Sequence, residues 1–496
     1  MLQRFIVNLS WNVAGKICSQ IALFAISVLL ARYLGRDRLG IYASILVIPT
    51  FVRLLNSFGL ETVLNKNFPK LQAIDRTRQQ GRHLLKSLVA LRILSMLVFC
   101  GLLYLLLPFY FQWVYMPQWI TYRPVIIFYF AAITCNSLLS TLFMALLRYK
   151  VTSILETING ILNLVLLVVF IKLDWGIFAV LYAYIIATAL VVTVYCFLAA
   201  PYITGPAKKM EKDDSVQLAW AAYIVSLFSF GLMTQSDVVL MNYFQVDTVH
   251  ISYYHLATGI GGMLIFVLVG IGPMALSIFS ETFAKESYPG LSRVWSQIVG
   301  FTIICAAPVY LFAMFNAEGL ITFIYGDQFL AAGNTLSIYL VFVLAGTAMG
   351  SGFAASTLFV LGKRDVPLRA TVEGGILNII LNLLLIPLYQ EIGAILATGL
   401  IMVYIAIRQL FHIHRNLDIH TLFPLVGKYL FLALVALAPA ELVARVWVDH
   451  LFSNLAVYTA TVLGLLAWIK PVSREQAKLV TDIYPTMDHG LKYFVR

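Results

Sequence analysis

The sequence predicts an all-α polytopic membrane protein, and two observations support that class. The first is composition: 61% of the 496 residues are apolar and 11% are charged. Soluble domains average roughly 45–50% apolar and about 25% charged residues. The second is that the apolar residues gather into about fourteen stretches, each close to the ~20 residues that a helix needs to cross a bilayer. A chain of about fourteen transmembrane helices follows from both.

Hydropathy places these spans along the chain. The predicted helices lie near residues 10–32, 38–60, 84–108, 123–147, 155–172, 177–200, 217–243, 252–278, 295–315, 333–361, 369–388, 391–412, 424–448 and 451–469. The first has the full length of a span, and no small-residue cleavage site follows it. We therefore interpret it as a transmembrane helix rather than as a cleaved signal peptide.

The net charge of +11 has a simple origin in the loops. Most of the 34 Lys and Arg residues lie in alternate loops, for example Lys208, Lys209 and Lys212 after the sixth span. Cytoplasmic loops carry such an excess of cations. The pattern predicts a multi-pass protein of the cell (inner) membrane with both termini in the cytoplasm, and it explains the basic balance without nucleic acid as a partner.

Several kinds of chemistry find no support in the sequence. The five cysteines all lie inside predicted spans and form no CxxC pair, which argues against a disulfide framework or a zinc site. No GxxxxGK[ST] motif and no catalytic constellation is recognisable. We therefore expect no enzyme activity, no metal and no cofactor. An Na⁺ gradient, an H⁺ gradient or the membrane potential would have to drive any transport.

The two halves of the chain resemble each other. Gly160-Ile161-Leu162-Asn163 recurs as Gly375-Ile376-Leu377-Asn378, and a polar linker lies between the halves. Six helices per half give both repeats the same orientation, so their symmetry axis is expected along the membrane normal. The predicted domains are an N-terminal lobe of helices 1–6 (1–206), a cytoplasmic linker (207–216), a C-terminal lobe of helices 7–12 (217–415), helices 13–14 (416–470) and a cytoplasmic tail (471–496).

The first two spans each carry a cation, Lys16 and Arg53. A Lys or Arg near the centre of a lipid-spanning helix costs roughly 2.5–3.5 kcal/mol, so both are expected to face a water-accessible cavity. Asn12, Lys16 and Gln20 follow one another at intervals of four residues and share one helix face. These side chains predict a cationic cavity that holds an anion.

Arg92 in the third span is a further candidate for that cavity. It lies about eight residues from the cytoplasmic end of the predicted helix, close enough for its side chain to reach the membrane surface instead. Both interpretations remain open from the sequence.

Acidic and amide side chains suggest a second site, for cation coupling. Asp237 is the most deeply placed acid of the second half, and Glu156 and Asn163 share one face of helix 5. Alternatively, Asp237 pairs with a nearby helix terminus or an Arg, or is solvated at the membrane–water interface. Glu156 has the alternative of simple solvation near the cytoplasmic end.

The order of several short motifs resembles the oligosaccharide flippase (Wzx-type polysaccharide transporter) family of the multidrug/oligosaccharidyl-lipid/polysaccharide exporter superfamily. The resemblance covers about residues 5 to 415. The matching motifs are Ala31-Arg32-Tyr33-Leu34-Gly35, Gly40-Ile41-Tyr42, Gly59-Leu60-Glu61, Ser236-Asp237, Tyr325-Gly326-Asp327-Gln328-Phe329 and Leu361-Gly362-Lys363. Many members have twelve helices, whereas this chain is predicted to add two.

The resemblance implies two six-helix lobes around a central cavity, which move undecaprenyl pyrophosphate-linked sugars outward by alternating access. Such units feed O-antigen, lipopolysaccharide, exopolysaccharide or other cell-envelope glycan assembly. Lys16 and Arg53 fit the family's cavity cations and would bind the pyrophosphate, while Asn12 and Gln20 would bind sugar hydroxyls. Membrane lipids, a polysaccharide polymerase and chain-length machinery are the implied partners.

Three alternatives remain. A lipid II-type flippase of the same superfamily also carries two extra helices. A multidrug/cation antiporter is expected to use buried acids, whereas the first half here carries buried bases. A membrane polysaccharide polymerase would be an enzyme with a large outer loop and catalytic Arg or His residues, and the sequence has no such loop.

Overall fold

The computed structural model describes the backbone of residues 2–74, 79–146, 148–208, 215–228, 236–269, 272–420, 422–446 and 451–470. Most side chains in these ranges are described, and residues 2–17 are the longest stretch without them. All secondary structure in these ranges is helical. The predicted all-α class is therefore confirmed.

The helices follow one another with short connections. In the described ranges they are α1 (Leu2–Leu55), α2 (Leu60–Ile74), α3 (Gln79–Trp113), α4 (Arg123–Ala145), α5 (Tyr149–Lys172), α6 (Ile177–Ile203), α7 (Ser215–Ser226), α8 (Ser236–Tyr243), α9 (Thr248–Val269), α10 (Gly272–Phe315), α11 (Ala317–Tyr325), α12 (Ala332–Ala348), α13 (Ser351–Val360), α14 (Asp365–His414), α15 (Leu422–Val435), α16 (Leu437–Val446) and α17 (Leu451–Ile469). Short 3₁₀ helices occupy Pro117–Tyr122 and Asp327–Phe329.

Three of these helices contain a sharp kink that separates two predicted spans. The kinks lie at Gly35 in α1, with φ 70°, at Ser287 in α10, with φ 55°, and at Gln390 in α14, with φ 52°. Conversely, the predicted tenth span is divided into α12 and α13 by Gly350, which has φ 71°. The predicted order of spans is thus retained, although the helix boundaries differ.

Ten helical segments of the described residues are long and apolar enough to cross a membrane. Within a bilayer the backbone N–H and C=O groups of such segments form hydrogen bonds inside the helix, so that none is left unsatisfied in the lipid. Together with the composition, these segments identify a multi-pass membrane protein.

Packing divides the chain into two compact units. Unit 1 comprises Met1–His255 and Gly375–Ala394, and unit 2 comprises Leu256–Gly374 and Ile395–Arg496. Unit 1 therefore contains the first turns of α9 and a central piece of α14 in addition to α1–α8. The lobe boundaries at 206 and 217 were inferred from the repeat and stay a prediction.

Unit 1 is built on helix pairs around an apolar core. Helix α1 packs on α5, and α6 packs on α4 and α5. The core contains the fully buried rings of Phe143 and Tyr195. Helix α2 is amphipathic, since Leu60, Leu64 and Phe68 recur at helical spacing and are all buried. That buried face attaches α2 to α3 and α4.

The second predicted span was expected to continue to residue 60, but α1 ends at Leu55 and α2 starts at Leu60. The break contains two residues with positive φ, Phe58 at 45° and Gly59 at 67°. A Cβ at Gly59 would also overlap the backbone carbonyl of Ala219. Glycine is therefore required here both for the turn and for the close approach of α7.

Gly40 is a second position where two backbones touch in unit 1. A Cβ at this residue would overlap the carbonyl group of Thr248 at the start of α9. We expect Gly40→Ala to lower the stability of the protein by about 1–3 kcal/mol, the usual range for overpacking. The midpoint of thermal unfolding of the purified protein measures the loss.

Gly101→Ala is the matched control, because a Cβ at Gly101 would meet no atom within 4 Å. Alanine favours a helix over glycine by about 1 kcal/mol, so this variant should be as stable as the wild type or slightly more stable. Equal midpoints for both variants would contradict the close contact between α1 and α9.

Unit 2 has its own apolar core. The buried side chains of Phe279, Trp295 and Val299 on α10 belong to it, and α10 packs on α12, α13 and α15. The predicted extra helices are part of this unit, because Tyr458 of α17 packs its ring 5.3 Å from that of Phe312. The Tyr458 hydroxyl also donates to the carbonyl of Ala433 at 3.2 Å.

Candidate functional site

Arg53 lies within unit 1 beside a group of tyrosines. It lies in the last turn of α1, beyond the kink at Gly35, and is half-buried. It is close enough to Tyr129 of α4 and Tyr184 of α6 to interact with both hydroxyls electrostatically. The rings of these two tyrosines stack with centroids 4.4 Å apart.

Tyr42 completes this group, which we call the tyrosine cluster (Tyr42, Tyr129 and Tyr184). Tyr42 lies near Tyr184, and its ring meets that of His255 edge-on at 6.2 Å. No carboxylate forms an ion pair with Arg53 in the part of the chain that the structure describes. The site therefore offers a cation and several hydroxyl groups, a combination suited to an anion that also carries hydroxyls.

Arg92, in contrast, is already neutralised by a carboxylate. Its side chain is 3% exposed and forms an ion pair with Glu61 at the start of α2. The Arg92 Nη1 donates to the backbone carbonyl of Asn56 at 2.6 Å, and the Ser137 hydroxyl donates to Glu61 Oε1 at 3.0 Å. A cation at the carbonyl end of a helix is favourable, so this network stabilises the break between α1 and α2.

Arg92 and Arg53 nevertheless interact electrostatically, so the structure brings these two predicted residues near each other. The sequence singled out the Gly59-Leu60-Glu61 motif but did not anticipate that Glu61 would bind Arg92. The role of Arg92 in binding substrate stays a prediction.

Asp237 is fully buried in unit 1 and accepts two short hydrogen bonds. The Tyr254 hydroxyl of α9 donates to Asp237 Oδ2 at 2.5 Å, and Asn382 Nδ2 of α14 donates to Oδ1 at 2.6 Å. Asn382 Nδ2 also donates to Asn378 Oδ1 at 3.0 Å, as does the Ser236 hydroxyl at 3.3 Å. We call these five residues the Asp237 cluster.

The Asp237 cluster contains several side-chain oxygen atoms in addition to one buried carboxylate. Besides the Asp237 carboxylate, it contains the side-chain carbonyls of Asn378 and Asn382. Carboxylate and amide oxygens are the ligands that hard cations prefer. No group of three or more His, Cys, Asp and Glu residues that could hold a metal ion occurs among the described residues.

The remaining predicted residues are distributed over α1 and α5. Gln20 is half-buried on α1, and the side chains of Asn12 and Lys16 lie outside the described ones. Asn163 of α5 is buried, and Glu156 interacts electrostatically with Tyr195. The described hydrogen bonds of Asp237 go to α9 and α14, so they link it to neither of the two α5 residues.

Two groups of residues at the site were not among the predicted site residues. Tyr129 and Tyr184 lie about two turns inside the apolar helices α4 and α6. A phenol at that depth in a predicted span was the signal that could have identified them. Asn378 and Asn382 are one helical turn apart, but nothing in their spacing indicates that Asp237 is their partner. Both groups are assembled by contacts between helices that are distant in the sequence.

The chain matches a protein family over more than half of its length. Residues 29–333 match the model of a family described as polysaccharide biosynthesis proteins. A relative from Haloferax volcanii, named as a probable low-salt glycan biosynthesis flippase, is 22% identical over 194 residues, which are 38% of this chain and 39% of the relative. An uncharacterized membrane protein of Methanocaldococcus jannaschii is 20% identical over 227 residues, 44% of this chain and 43% of that protein. The matches thus span about two-fifths of these curated relatives.

Solved structures share the fold. The lipid II flippase MurJ in an inward closed conformation aligns with a TM-score of 0.66 at 16% identity, covering 88% of this chain and 97% of that one. An inward-facing multidrug resistance transporter of the MATE family has a TM-score of 0.66 at 12% identity, covering 83% and 99%. A superfamily transporter from Pyrococcus furiosus has a TM-score of 0.55 at 11% identity, covering 85% and 95%. The chain therefore has the fold of the multidrug/oligosaccharidyl-lipid/polysaccharide exporter superfamily.

Proposed function

The chain belongs to the family of polysaccharide biosynthesis proteins, and from that membership we propose that it is a flippase for polyprenyl pyrophosphate-linked oligosaccharides. It would carry these units across the cytoplasmic membrane by alternating access, with the glycan passing through the protein and the lipid chain staying in the bilayer. One relative is named as a glycan biosynthesis flippase, and one solved structure with this fold is named as a lipid II flippase.

The single observation that carries this proposal is the position of Arg53. It is a half-buried cation on a membrane-spanning helix, and it is within electrostatic range of Tyr129 and Tyr184. An Arg guanidinium binds a phosphate through two parallel hydrogen bonds. The tyrosine hydroxyls can bond either to the pyrophosphate or to a sugar. Lys16, Asn12 and Gln20 would extend the same site along the first part of α1.

Replacing Arg53 tests the proposal directly. Arg53→Gln should reduce the rate of flipping roughly 10- to 100-fold, because a charge-assisted hydrogen bond contributes about 1.5–3 kcal/mol. The measurement uses proteoliposomes that contain a fluorescent undecaprenyl pyrophosphate-linked oligosaccharide and follows how much of it becomes protected from an external quencher.

Two further variants make the result specific. Arg53→Lys keeps the charge but loses the bidentate geometry, so it should retain part of the activity. Arg123→Gln removes a cation that instead lies over the ring of Tyr104 at 4.1 Å, and it should flip at the wild-type rate. If Arg53→Gln is as active as wild type at equal protein level, the pyrophosphate-binding role is wrong. Drug efflux without glycan flipping would favour the antiporter alternative.

We further propose that the Asp237 cluster binds the cation that drives transport, Na⁺ or H⁺. A buried carboxylate with amide and hydroxyl oxygens on neighbouring residues is a suitable site for either ion. Within this cluster Asp237 is the fully buried acid, and it would supply the negative charge that a cation requires. Glu156 and Asn163 on α5 stay candidates for a separate coupling site.

The cellular setting follows from the proposed substrate. The protein would lie in the inner (cytoplasmic) membrane with both termini in the cytoplasm, as the charge distribution predicts. Its product would supply O-antigen, exopolysaccharide or another envelope glycan, and a polymerase with its chain-length machinery would use it next. The flippase itself would form and break no covalent bond.

A further inference from the structure

Unit 1 contains an apolar groove that lies beside the proposed pyrophosphate and cation sites and shares Ser236 with the cation site. Its volume is about 530 Å³, and its walls come from α1, α3, α8 and Ile379 of α14. We call it the lateral groove. Its size lies within the 300–1,000 Å³ that is usual for ligand pockets.

The walls of the lateral groove are made almost entirely of hydrocarbon side chains. Ile48 and Leu55 of α1, Leu102 and Leu106 of α3 and Leu240 of α8 are examples. The hydroxyl of Ser236, which also lines it, donates to Asn378 Oδ1. A sugar, a phosphate or a peptide would lose its hydrogen bonds to water here without replacement. The occupant must therefore be apolar.

Aromatic rings border the groove at its two ends. At one end Phe58 contacts Phe99 at 6.2 Å and Tyr223 at 5.6 Å between ring centroids. At the other end Trp113 stacks on Tyr243 at 4.5 Å. Phe99 and Trp113 are fourteen residues apart on α3, which corresponds to about 21 Å at the helical rise of 1.5 Å per residue. The groove thus suits an extended chain that runs along the helices.

The long side of the groove is accessible from the lipid. Leu102, Leu106 and Trp113 are 41%, 56% and 50% exposed, and α3 is a candidate membrane span. In a bilayer this exposed face meets hydrocarbon rather than water. A lipid chain can therefore enter sideways without leaving the apolar phase.

The two walls of the groove carry the two charged groups of the proposed function. Val52 lines the groove, and the next residue on α1 is Arg53. Ser236 lines it from the other side, and the next residue on α8 is Asp237. Successive helical residues point about 100° apart, so both charges lie beside the groove and outside its apolar surface.

We propose that the lateral groove binds the polyprenyl chain of the substrate. This inference rests on the proposed function, because only that substrate joins such a chain to a pyrophosphate. The methyl branches of an isoprenoid pack between the Leu and Ile side chains of the walls. The bound chain contacts the helix of Arg53 and the helix of Asp237 at once.

Photolabelling of the full-length protein in nanodiscs tests the groove. The probe is a polyprenyl monophosphate with a diazirine on its hydrocarbon chain, and the comparison probe is phosphatidylglycerol with a diazirine on one acyl chain. We expect the polyprenyl probe to label residues of α3 between Phe99 and Trp113. Unlabelled polyprenyl phosphate should compete for this labelling, whereas unlabelled phosphatidylglycerol should not.

Variants that fill the groove supply the control. Leu102→Trp should lower the labelling roughly tenfold, and Val239→Trp, which fills the groove from the opposite wall, should do the same. Leu105→Trp places the same ring on the lipid-exposed side of α3, outside the groove lining, and should leave the labelling unchanged. Labelling is compared only among variants that unfold at the same temperature as the wild type. One groove-filling variant that meets this condition is enough for the test.

The outcomes separate this inference from the proposed function. Equal labelling by the phosphatidylglycerol probe would show a general lipid contact and overturn the assignment to a polyprenyl chain. An equal effect of Leu105→Trp and Leu102→Trp would also overturn it. If flipping depends on Arg53 but the groove is not labelled, only the groove inference fails. If the groove is labelled but no glycan is flipped, the proposed function fails and the isoprenoid site remains.

Discussion

Arg92→Ala is expected to lower the free energy of unfolding by roughly 3–5 kcal/mol, because it leaves the carboxylate of Glu61 without its ion pair. The value should fall near the lower limit, since the Glu61 side chain is 23% exposed. The carbonyl of Asn56 also loses the Arg92 hydrogen bond at the break between α1 and α2. The midpoint of thermal or denaturant unfolding of the purified protein measures this effect.

Two other variants distinguish the ion pair from a general need for a large side chain. Arg92→Met combined with Glu61→Gln removes both charges and should recover much of the lost stability, because a buried pair is replaceable by neutral groups of similar size. Arg148→Ala removes an exposed cation that lies 5.6 Å over the ring of Tyr202, and it should cost no more than about 1 kcal/mol. Equal losses in the single and double variants would refute the proposed pairing.

Asp237→Asn is expected to abolish the stabilisation of the protein by the driving cation. In the wild type, a cation at one hundred times its Kd should add about 2.7 kcal/mol to stability. The amide is isosteric, and its oxygen can still accept a hydrogen bond from Tyr254 or Asn382. The fold should therefore survive while the negative charge is lost. Thermal unfolding in NaCl and in choline chloride at equal ionic strength, repeated at several pH values, measures the effect and separates Na⁺ from H⁺.

Asp247→Asn is the matched control for this experiment. Asp247 is exposed, and its side chain accepts a hydrogen bond from the backbone N–H of Val249 at 2.9 Å, a role that asparagine also fills. The control should keep the full response to the cation. If Asp237→Asn responds to Na⁺ and to pH as the wild type does, the Asp237 cluster is not the coupling site.

Arg92 and Arg53 show how much a charged residue in an apolar span reveals about its surroundings. Both residues are cations within predicted spans; the sequence predicted a cavity position for Arg53 and left Arg92 open between that cavity and the membrane surface. The structure gives Arg92 a carboxylate partner, whereas no carboxylate of the described residues pairs with Arg53. A charge within a span thus indicates a polar environment, but the kind of environment depends on which helix packs against it.

The same limit applies to the helix boundaries. The predicted second span continued to residue 60, and no break was predicted at residues 56–59. In the structure Phe58 and Gly59 have positive φ, and Gly59 lies against the backbone of Ala219. Hydropathy reports which residues prefer lipid, but it does not report where a neighbouring helix forces the chain to turn.

The sequence by itself determined the all-α membrane class, the order of the spans and the resemblance to an exporter family. These features depend on the transfer of apolar residues from water to lipid and on hydrogen bonds within each helix, both of which are local. Only the tertiary structure decided the partners of the charged residues and the existence of the lateral groove. Asp237 and Asn382, for example, are 145 residues apart, and such pairs are set by the packing of whole helices against one another.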